Sequence, residues 1–366
     1  MKILVVTTWF PSSESPYSGI FNFRDVVMLA RHHDVTVVHL TSSPVTAASD
    51  ELSTLSDCNF ELVRLPFTPG SPLSFGPTFQ QLKPYLAAAD AVHTMAFSAL
   101  LPFALHNPKL PWVHTEHWSG ITIRSRGIAG LRRTLALRFM IRRPRVLVAV
   151  SDYLREQIAY LRTKRVVTVG NYVELPSTVE PPELHSQLRL VAVGNLIAHK
   201  GPLVALDALR ALLDRGIDAR LTWVGDGTDR AVVEQSIREH ALTDRVTLAG
   251  AQSADEVTGF LNAADMFVLP TLSETFGVAI AEATAHGLPV VTGTVGGFRD
   301  FLDPLASRVV GERTGAAYAE AIADLWQDSR RPSRAAIAAR ARELFSEGLR
   351  EEKYRQAYQL AGAQDF

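Results

Sequence analysis

Short runs of β-branched residues alternate with helix-patterned segments along almost the whole chain, and they fall into two series. The first series of predicted strands is Ile3–Thr7, Val35–Leu40, Phe60–Leu65, Ala91–Thr94, Trp112–Thr115 and Val146–Val150. The second is Leu188–Val193, Arg220–Val224, Val246–Ala249, Met266–Leu269 and Pro289–Thr292. Strands that alternate with helices pair in parallel, with helices on both faces of the sheet. The sequence therefore predicts an α/β protein built from two Rossmann-like, doubly wound halves.

Helix-patterned segments separate these strands. In the first half they are Ile20–Arg31 and Phe97–His106. In the second half they are Pro202–Asp214, Asp229–His240, Ala254–Leu261 and Phe276–His286, and a long Arg/Ala/Glu-rich segment follows at Ser333–Leu360. In parallel sheets, ligands bind beyond the carboxyl ends of the strands. The predicted site therefore lies at those ends, in a cleft between the two halves.

The stretch from Glu174 to Gln187 holds three prolines and little apolar periodicity, which is typical of a linker. A chain of 366 residues is expected to form two domains. The predicted domains are residues 1–173 and 188–345, joined by the linker 174–187, and residues 346–366 form a closing helix.

Composition excludes several classes of protein. The chain has 47% hydrophobic and 20% charged residues and a net charge of −1, so nothing draws it as a whole to nucleic acid. Its one cysteine, Cys58, excludes an internal disulfide and fits a reducing compartment. No apolar run approaches the roughly 20 residues that a membrane helix needs, and the first residues predict a buried strand rather than a signal peptide. We expect a cytoplasmic protein.

Two carboxylates, Glu274 and Glu282, flank the start of one predicted helix. The pattern places Glu274 at the loop–helix junction and Glu282 two turns further on, about 12 Å away by helical rise. Between them, the backbone N–H groups of Phe276 and Gly277 could receive a phosphate. Two acceptors around an anion site suit a ligand with hydroxyls at both ends and a diphosphate between them, as in a nucleotide sugar. The alternative is a capped helix with an exposed glutamate.

Glycines and one lysine follow other predicted strands of the second half. Lys200 could place a positive charge on a phosphate near the start of a helix, although it could equally be a surface lysine. The glycines could allow close approach of a ligand to the backbone, or could simply form turns. They are Gly194, Gly225, Gly227, Gly296 and Gly297.

Taken in order, these motifs resemble a known family. The pattern runs Val-Gly-x-Leu-x3-Lys-Gly from Val193, Val-Gly-Asp-Gly from Val224, and Ala-Asp-x-Phe-Val-Leu-Pro-x3-Glu-Thr-Phe-Gly-x4-Glu-Ala from Ala264. Gly-x-Pro-Val-Val and Gly-Gly follow. It resembles the retaining nucleotide-sugar glycosyltransferases of family 4, which have the GT-B fold. The likeness covers nearly all of residues 188–302. It is weaker in the first half, where Ser18–Phe21, Val113–Trp118 and Gly170–Val173 look like family landmarks.

The resemblance implies a GT-B fold with its last helix returned to the first domain. It also implies a retaining, metal-independent hexosyltransferase that needs no cofactor. The co-substrate would be a nucleotide-diphosphate sugar, and the expected nucleotide is UDP or GDP. By position, Glu274 would hold the donor sugar, Glu282 the ribose and Lys200 the diphosphate. His117 would be the active-site histidine, with His114 as the alternative. The other implied donor-binding residues are Gly19, Gly194, Asn195, Gly225, Gly227, Thr275, Phe276 and Gly277.

The chain departs from the family pattern at two places. Asn195 stands where the family usually has an arginine, so stabilisation of the leaving group would depend more on Lys200. Gly19 is a single glycine where the family has a pair. These differences leave open a catalytically silent nucleotide-sugar-binding protein. A nicotinamide dehydrogenase would need Gly-x-Gly-x-x-Gly after a strand, which the chain lacks.

The acceptor of such a transfer stays open on sequence alone. The resemblance implies a hydroxyl on a glycan, a lipid-linked glycan or a small natural product. In this fold the acceptor would be recognised by loops of the first half, such as Ser42–Asp57 and Pro66–Pro77.

Eight arginines and no acidic residue lie between Arg124 and Arg145. Apolar residues interleave with them, so the segment predicts a helix of the first domain that could lie on an anionic membrane. That would place the protein peripherally at the inner membrane face. The alternative is a solvated helix face whose arginines pair with acids elsewhere.

Overall fold

The computed structural model describes residues 1–12, 18–42, 60–122, 127–179, 186–363 and 366. The chain divides into two compact units. Unit 1 comprises Met1–Tyr172 together with Glu347–Phe366, and unit 2 comprises Val173–Ser346. Cys58, Arg124, Arg126 and all but the first residue of the predicted acceptor loop Ser42–Asp57 lie outside the described residues.

Unit 1 contains a parallel sheet in which, among the described residues, seven strands follow the order β3-β2-β1-β4-β5-β6-β7. The strands are β1 (Lys2–Thr7), β2 (Asp34–Thr41), β3 (Glu61–Pro66), β4 (Ala91–Met95), β5 (Trp112–Glu116), β6 (Val146–Ala149) and β7 (Val166–Thr168). Its helices are α1 (Ile20–Ala30), α2 (Phe75–Ala88), α3 (Gly127–Ile141), α4 (Asp152–Gln157) and, from the end of the chain, α11 (Glu347–Ala361). The central strands β4, β5 and β6 are buried along their whole length.

Unit 2 contains a second parallel sheet, whose described strands follow the order β10-β9-β8-β11-β12-β13. The strands are β8 (Leu188–Val193), β9 (Ala219–Val224), β10 (Val246–Gly250), β11 (Met266–Leu269), β12 (Val290–Thr292) and β13 (Ser307–Val309). The helices are α5 (Pro202–Asp214), α6 (Arg230–Glu239), α7 (Ala254–Ala263), α8 (Val278–Ala285), α9 (Gly315–Gln327) and α10 (Arg334–Leu344). The predicted fold class, two doubly wound parallel α/β units, is confirmed.

Several sequence predictions of single elements were wrong. Strands β7 and β13 and helices α2, α4 and α9 were not predicted. The predicted α-helix Phe97–His106 is a 3-10 helix, Phe97–Phe103, because Pro102 within it has no N–H to donate to an α-helical ladder. The predicted loop Pro66–Pro77 begins at the last residue of β3 and extends into the first turn of α2.

The closing segment Ser333–Leu360, predicted to be helical, forms two helices, α10 and α11, and the first ends at Leu344. The Phe345 ring packs on Phe301 at a centroid distance of 5.1 Å and on Phe276 at 6.2 Å. This aromatic cluster holds residue 345 in unit 2, whereas α11 belongs to unit 1.

Helix α11 is attached to unit 1 by a buried polar network as well as by apolar packing. The hydroxyl of Tyr354 donates to the Oδ2 of Asp25 (2.8 Å), and the guanidinium of Arg350 pairs with the same carboxylate. The hydroxyl of Tyr358 lies 2.9 Å from Nδ1 of His93 on β4. All of these side chains are buried. The last helix is therefore part of the unit 1 core.

We predict that Asp25→Ala destabilises unit 1 strongly, because it leaves the buried Arg350 without its carboxylate. Breaking one partner of a buried ion pair costs about 3–5 kcal/mol. Glu347→Ala is the matched control, since it removes the exposed pair between Arg31 on α1 and Glu347 on α11, which is expected to be worth at most about 1 kcal/mol. Urea unfolding of both variants measures the difference. Equal losses would contradict the role of the buried pair.

Candidate functional site

The predicted donor residues of unit 2 lie at the carboxyl edge of its sheet. Strand β8 has β9 on one side and β11 on the other, so the chain order reverses between β8 and β11. Loops that follow two such strands turn to opposite faces of the sheet and leave a crevice between them. Lys200 lies in the loop after β8 and Glu274 in the loop after β11.

Lys200 and Glu274 meet at this crevice. Nζ of Lys200 donates to Oε1 of Glu274 at 2.5 Å, and the hydroxyl of Thr271 donates to the same oxygen at 2.9 Å. The side chains of Lys200 and Glu274 are 22% and 14% exposed, so the pair is largely shielded but reachable from solvent. The second carboxylate oxygen of Glu274, Oε2, accepts no hydrogen bond from any described residue. The site therefore offers one carboxylate oxygen and the remaining ammonium protons to a ligand.

Backbone pairing fixes the position of Glu274. Its N–H donates to the carbonyl of Val295 at 3.1 Å, and its carbonyl accepts the N–H of Gly297 at 3.2 Å. Glu274 thus forms a short parallel bridge with Gly296, in the loop after β12. A glycine is needed at position 296 because a Cβ there would lie 2.8 Å from the carbonyl oxygen of Glu274.

Two residues that sequence reasoning missed hold the loops after β8 and β11 together. Arg313 donates to the carbonyl of Pro270 (2.7 Å) and to those of Ala198 (2.5 Å) and His199 (3.2 Å). The Nε2 of His199 lies 2.8 Å from the carbonyl oxygen of Ser273. His199 adjoins Lys200 in sequence and could have been suspected. Arg313 belongs to no motif and lies far along the chain, so nothing in the sequence indicated it.

The glycines after β8 and β9 serve close backbone packing within unit 2. A Cβ on Gly225 would lie 2.2 Å from the carbonyl oxygen of Gly194, and one on Gly227 would lie 2.4 Å from that of Leu196. Gly225 also has a φ of +133°, which side chains rarely adopt. The glycines allow the two loops to contact each other. The side chain of Asn195 is exposed beside them.

The structure corrects the predicted spacing of the two glutamates. Helix α8 begins at Val278, with Gly277 at its N-cap and no side chain capping it. Glu274 therefore lies in the preceding loop rather than at the loop–helix junction, and Glu282 lies one turn into the helix rather than two turns beyond Glu274. Glu282 is half-buried, as is Thr275 between the two. The prediction assumed a helix from Phe276, but Gly277 has a φ of +91°, which is outside helical geometry.

In unit 1, His117 directly follows β5 at the carboxyl edge of that sheet. The buried carboxylate of Glu116 accepts the N–H groups of His117 (3.0 Å) and Trp118 (2.8 Å) through Oε1, so it shapes the turn. Sequence reasoning missed Glu116. Its Oε2 lies 3.4 Å from Nε2 of His114. His114 also contacts Thr94 through Nδ1, so both of its ring nitrogens are engaged inside the sheet.

His117 has a different environment. Neither of its buried ring nitrogens has a hydrogen bond of good geometry in the described residues. Burial, with a smaller contribution from nearby His114, lowers the pKa of His117 to about 3, and an interaction with Asn171 partly opposes the shift. The ring is therefore neutral near pH 7. Unpartnered buried polar atoms are uncommon in native proteins and point to a functional role.

Gly19 lies at the start of α1, and the first turn of this helix contacts His117. It is the N-cap of α1 with a φ of +69°, and a Cβ there would lie 2.2 Å from the backbone of Trp9. Two residues on, the Phe21 ring packs on the His117 ring at a centroid distance of 4.3 Å. The structure thus brings together Gly19, His117 and Phe21, the last of which was not predicted as a site residue.

Within the described ranges, no three His, Cys, Asp or Glu side chains form a group that could hold a metal ion. In the same part of the chain, no helix is long and apolar enough to cross a bilayer.

Family models match both units. Residues 6–175 match the model described as Glycosyltransferase Family 4, and residues 180–344 match Glycosyl transferases group 1. The fold agrees with solved glycosyltransferase structures of low sequence identity. Anabaena HepE in complex with UDP and glucose has a TM-score of 0.77 at 17% identity, covering 98% of this chain and 99% of that one. Sucrose-phosphate synthase from Thermosynechococcus elongatus also has a TM-score of 0.77, at 19% identity over 99% of both chains.

Curated relatives are similar in sequence. AmsK of Erwinia amylovora, an amylovoran biosynthesis glycosyltransferase, is 35% identical over 126 residues, 33% of this chain and 31% of its own length. TuaC of Bacillus subtilis strain 168, named as a glycosyltransferase of teichuronic acid biosynthesis, is 26% identical over 364 residues, 88% of each chain. The chain spans about a third of the length of AmsK but most of TuaC. With both units matched, the chain belongs to the GT-B glycosyltransferases of the family 4 type.

We predict that stability falls below neutral pH because of buried histidines such as His93 and His117. Burial lowers the pKa of His93 and of His117 to about 3, whereas both would titrate near 6.5 in the unfolded chain. The unfolded state therefore binds more protons between about pH 3 and 6.5, so the free energy of unfolding decreases as pH falls through that window. Each histidine contributes at most about 1.4 kcal/mol per pH unit.

Urea unfolding at pH 7 and pH 5 measures this dependence. His117→Gln should lose less stability than the wild type between the two pH values. His32→Gln removes an exposed histidine and should behave as the wild type does. An unchanged pH dependence in His117→Gln would show that His117 is not buried in its neutral form.

Proposed function

We propose that this protein transfers a hexose from a nucleotide-diphosphate sugar to a hydroxyl acceptor, with retention of anomeric configuration and without a metal ion. The observation that carries the proposal is the Lys200–Glu274 pair at the reversal point of the unit 2 sheet. It joins a cation, a carboxylate with a free oxygen, and the uncapped start of α8 at one crevice. A diphosphate sugar needs these three kinds of group.

In this proposal Lys200 and the N-terminus of α8 stabilise the departing diphosphate. The ammonium protons left over from the Glu274 contact and the first N–H groups of α8 supply positive potential that needs no rearrangement during the reaction. Oε2 of Glu274 accepts hydrogen bonds from sugar hydroxyls. Glu282, one turn into α8, is placed to accept the ribose hydroxyls. UDP and GDP are the proposed carriers, and HepE, a structural neighbour, was solved with UDP.

His117 acts in this proposal as a neutral hydrogen-bonding group. A ring whose pKa is about 3 is a weak base near pH 7, so it orients a sugar hydroxyl more effectively than it removes a proton. Since the sequence indicates no carboxylate nucleophile, we propose same-face attack by the acceptor, assisted by the leaving phosphate. The acceptor is a hydroxyl of a glycan, a lipid-linked glycan or a small natural product. The names of AmsK and TuaC, which refer to polysaccharide synthesis, favour a glycan.

A silent nucleotide-sugar-binding protein is the second candidate. The exposed, uncharged Asn195 favours it, because the side chain adds no positive charge at the diphosphate site. Such a protein would bind the donor but would not transfer or hydrolyse the sugar.

We predict that Lys200→Ala and Glu274→Ala lower turnover by at least about 100-fold, as is usual when a group that stabilises developing charge is removed. A thermal-shift screen without added metal, against nucleoside diphosphates and their sugars, first identifies the donor. Hydrolysis and transfer of that donor are then measured, and NMR of the product gives the anomeric configuration. Lys83→Ala and Glu320→Ala, both exposed, are the matched controls and should keep full activity.

Each outcome of that experiment assigns a role. Full activity in Lys200→Ala or Glu274→Ala would reject the proposed site. Donor binding without turnover in the wild type would favour the silent binder. An inverted product would reject retention, and loss of activity on chelation would reject metal independence.

We also propose that α3 contacts an anionic membrane surface from the cytoplasmic side. Ile128, Leu131, Leu135 and Phe139 are 76%, 60%, 56% and 54% exposed. Spacings of three and four residues put them on one helix face. Arg132 and Arg138 are exposed on the same helix. Neither forms an ion pair with a carboxylate in the described residues, which argues against the alternative of arginines paired with acids elsewhere. Arginines beside exposed apolar side chains match an anionic lipid surface.

We predict that the protein sediments with vesicles that contain phosphatidylglycerol but not with pure phosphatidylcholine vesicles. The double variant Leu131→Gln/Leu135→Gln should lose most of this binding, because it removes apolar area from the centre of the face. Val232→Gln, at an equally exposed apolar residue on α6, is the control and should bind as the wild type does. Equal sedimentation with both kinds of vesicle would reject the membrane contact.

A further inference from the structure

A cavity of about 540 Å³ in unit 1 has none of the proposed donor or active-site residues in its lining. Residues 142–145 line it just before β6 begins at Val146, and residues 162–165 line it just before β7 begins at Val166. Since the strands are parallel, both segments lie at the amino edge of the sheet. His117 follows the carboxyl end of β5, at the opposite edge. The cavity is therefore separate from the candidate active site in unit 1.

The lining of the cavity is strongly basic. It contains six cations and no acidic residue: Arg142, Arg143, Arg145, Arg162, Lys164 and Arg165, with Thr163 and Pro144. None of the six forms an ion pair with a carboxylate in the described part of the chain. Like charges gathered around one space repel each other, and a ligand of opposite charge would relieve that repulsion.

One of the six cations has a structural role. Arg162 is buried and donates to the carbonyls of Ile141 (2.9 Å), Pro144 (2.7 Å) and Arg145 (2.6 Å), so it holds the floor of the cavity. Burial, together with the charges of Arg165 and Arg142, lowers the pKa of Arg162 to about 10. The shift is consistent with uncompensated positive charge at this place.

The other cations retain hydrogen-bond donors. Arg142 uses only its Nε, toward the carbonyl of Leu161 at 3.0 Å. The Nε of Arg143 is buried without a partner, although its guanidinium stacks on Phe139. The side chains of Lys164 and Arg165 are exposed and donate no hydrogen bond to the described residues. An unpartnered, buried guanidinium nitrogen beside three cations with free donors is an arrangement prepared for an anion.

We propose that this cavity is a binding site for a phosphate group, separate from the donor site of unit 2. Guanidinium groups recognise phosphate through paired, charge-assisted hydrogen bonds, and several of them around one space favour a multiply charged oxyanion over chloride. The phosphate belongs either to a lipid headgroup or to a soluble phosphorylated molecule. The cavity adjoins the C-terminal end of α3, whose exposed apolar face precedes it in sequence.

Isothermal titration calorimetry with inorganic phosphate, at constant ionic strength in chloride, tests the proposal. The wild type should bind phosphate saturably. Lys164→Gln/Arg165→Gln removes two exposed cations without touching Arg162, and it should bind at least about tenfold more weakly, since hydrogen bonds to charged groups are lost. Arg215→Gln/Arg238→Gln removes the same charge from exposed positions of unit 2 and is the matched control. It should bind as the wild type does.

The donor site could also attract phosphate, so Lys200→Ala is titrated in parallel. The proposal is supported if phosphate binding persists in Lys200→Ala and is lost in Lys164→Gln/Arg165→Gln. This result does not depend on whether the protein is an active glycosyltransferase. No binding by the wild type, or equal binding by both double variants, overturns the proposal.

Vesicles then separate the two sources of the phosphate. If phosphatidylglycerol vesicles displace bound inorganic phosphate and phosphatidylcholine vesicles do not, the cavity takes a lipid headgroup. If phosphate stays bound in the presence of both, the ligand is a soluble phosphorylated molecule. Either result keeps the site and assigns its source.

Discussion

Parallel strand pairing is the constraint on which both units depend. Every described strand in the two sheets runs in the same direction as its neighbours, so each sheet has one edge of strand ends and one edge of strand starts. The two edges receive different loops and can hold different chemistry. Lys200, Glu274 and His117 all lie at carboxyl edges, where the chain leaves a strand. The basic cavity lies at an amino edge, where the chain enters one. The separation of these sites follows from topology, before any side chain is considered.

The sequence predicted most of the fold because parallel, doubly buried strands have a simple pattern. Met266–Leu269 is uniformly apolar and Leu188–Val193 is apolar except for Arg189, and both were located to the residue. Two of the four edge strands were missed. Strands β7 and β13 have three residues each and are only partly buried, so neither length nor hydrophobicity marks them. At the end of α10, the ring of Phe345 packs on Phe301, a residue distant in sequence.

The candidate site likewise contains some residues that the sequence predicts and others that it does not. Residues that belong to contiguous motifs, such as Lys200 and Glu274, could be named from the sequence, and they do meet in space. Residues that place them could not. Arg313 supports the loops after β8 and β11 by donating to three backbone carbonyl groups. Because every residue has a backbone carbonyl, such contacts require no particular side chains in the loops and leave no sequence motif. The spacing of Glu274 and Glu282 was wrong because a glycine with positive φ delays the start of α8, and a helix pattern in the sequence cannot show where the first turn begins.

The two cationic sites differ in how their charge is balanced without a ligand. Lys200 is paired with Glu274, so the proposed diphosphate would have to compete with a carboxylate for the ammonium group, while the pair keeps the lysine directed at the crevice. A partly buried cation that lacked this partner would carry a desolvation cost in every empty molecule. The cavity at the amino edge has no such internal partner, and its arginines are held apart mainly by hydrogen bonds to carbonyls. It therefore has more to gain from an external anion than the donor site has. A balanced pair suits a ligand that must be released after each turnover, whereas an unbalanced cluster suits one that stays bound.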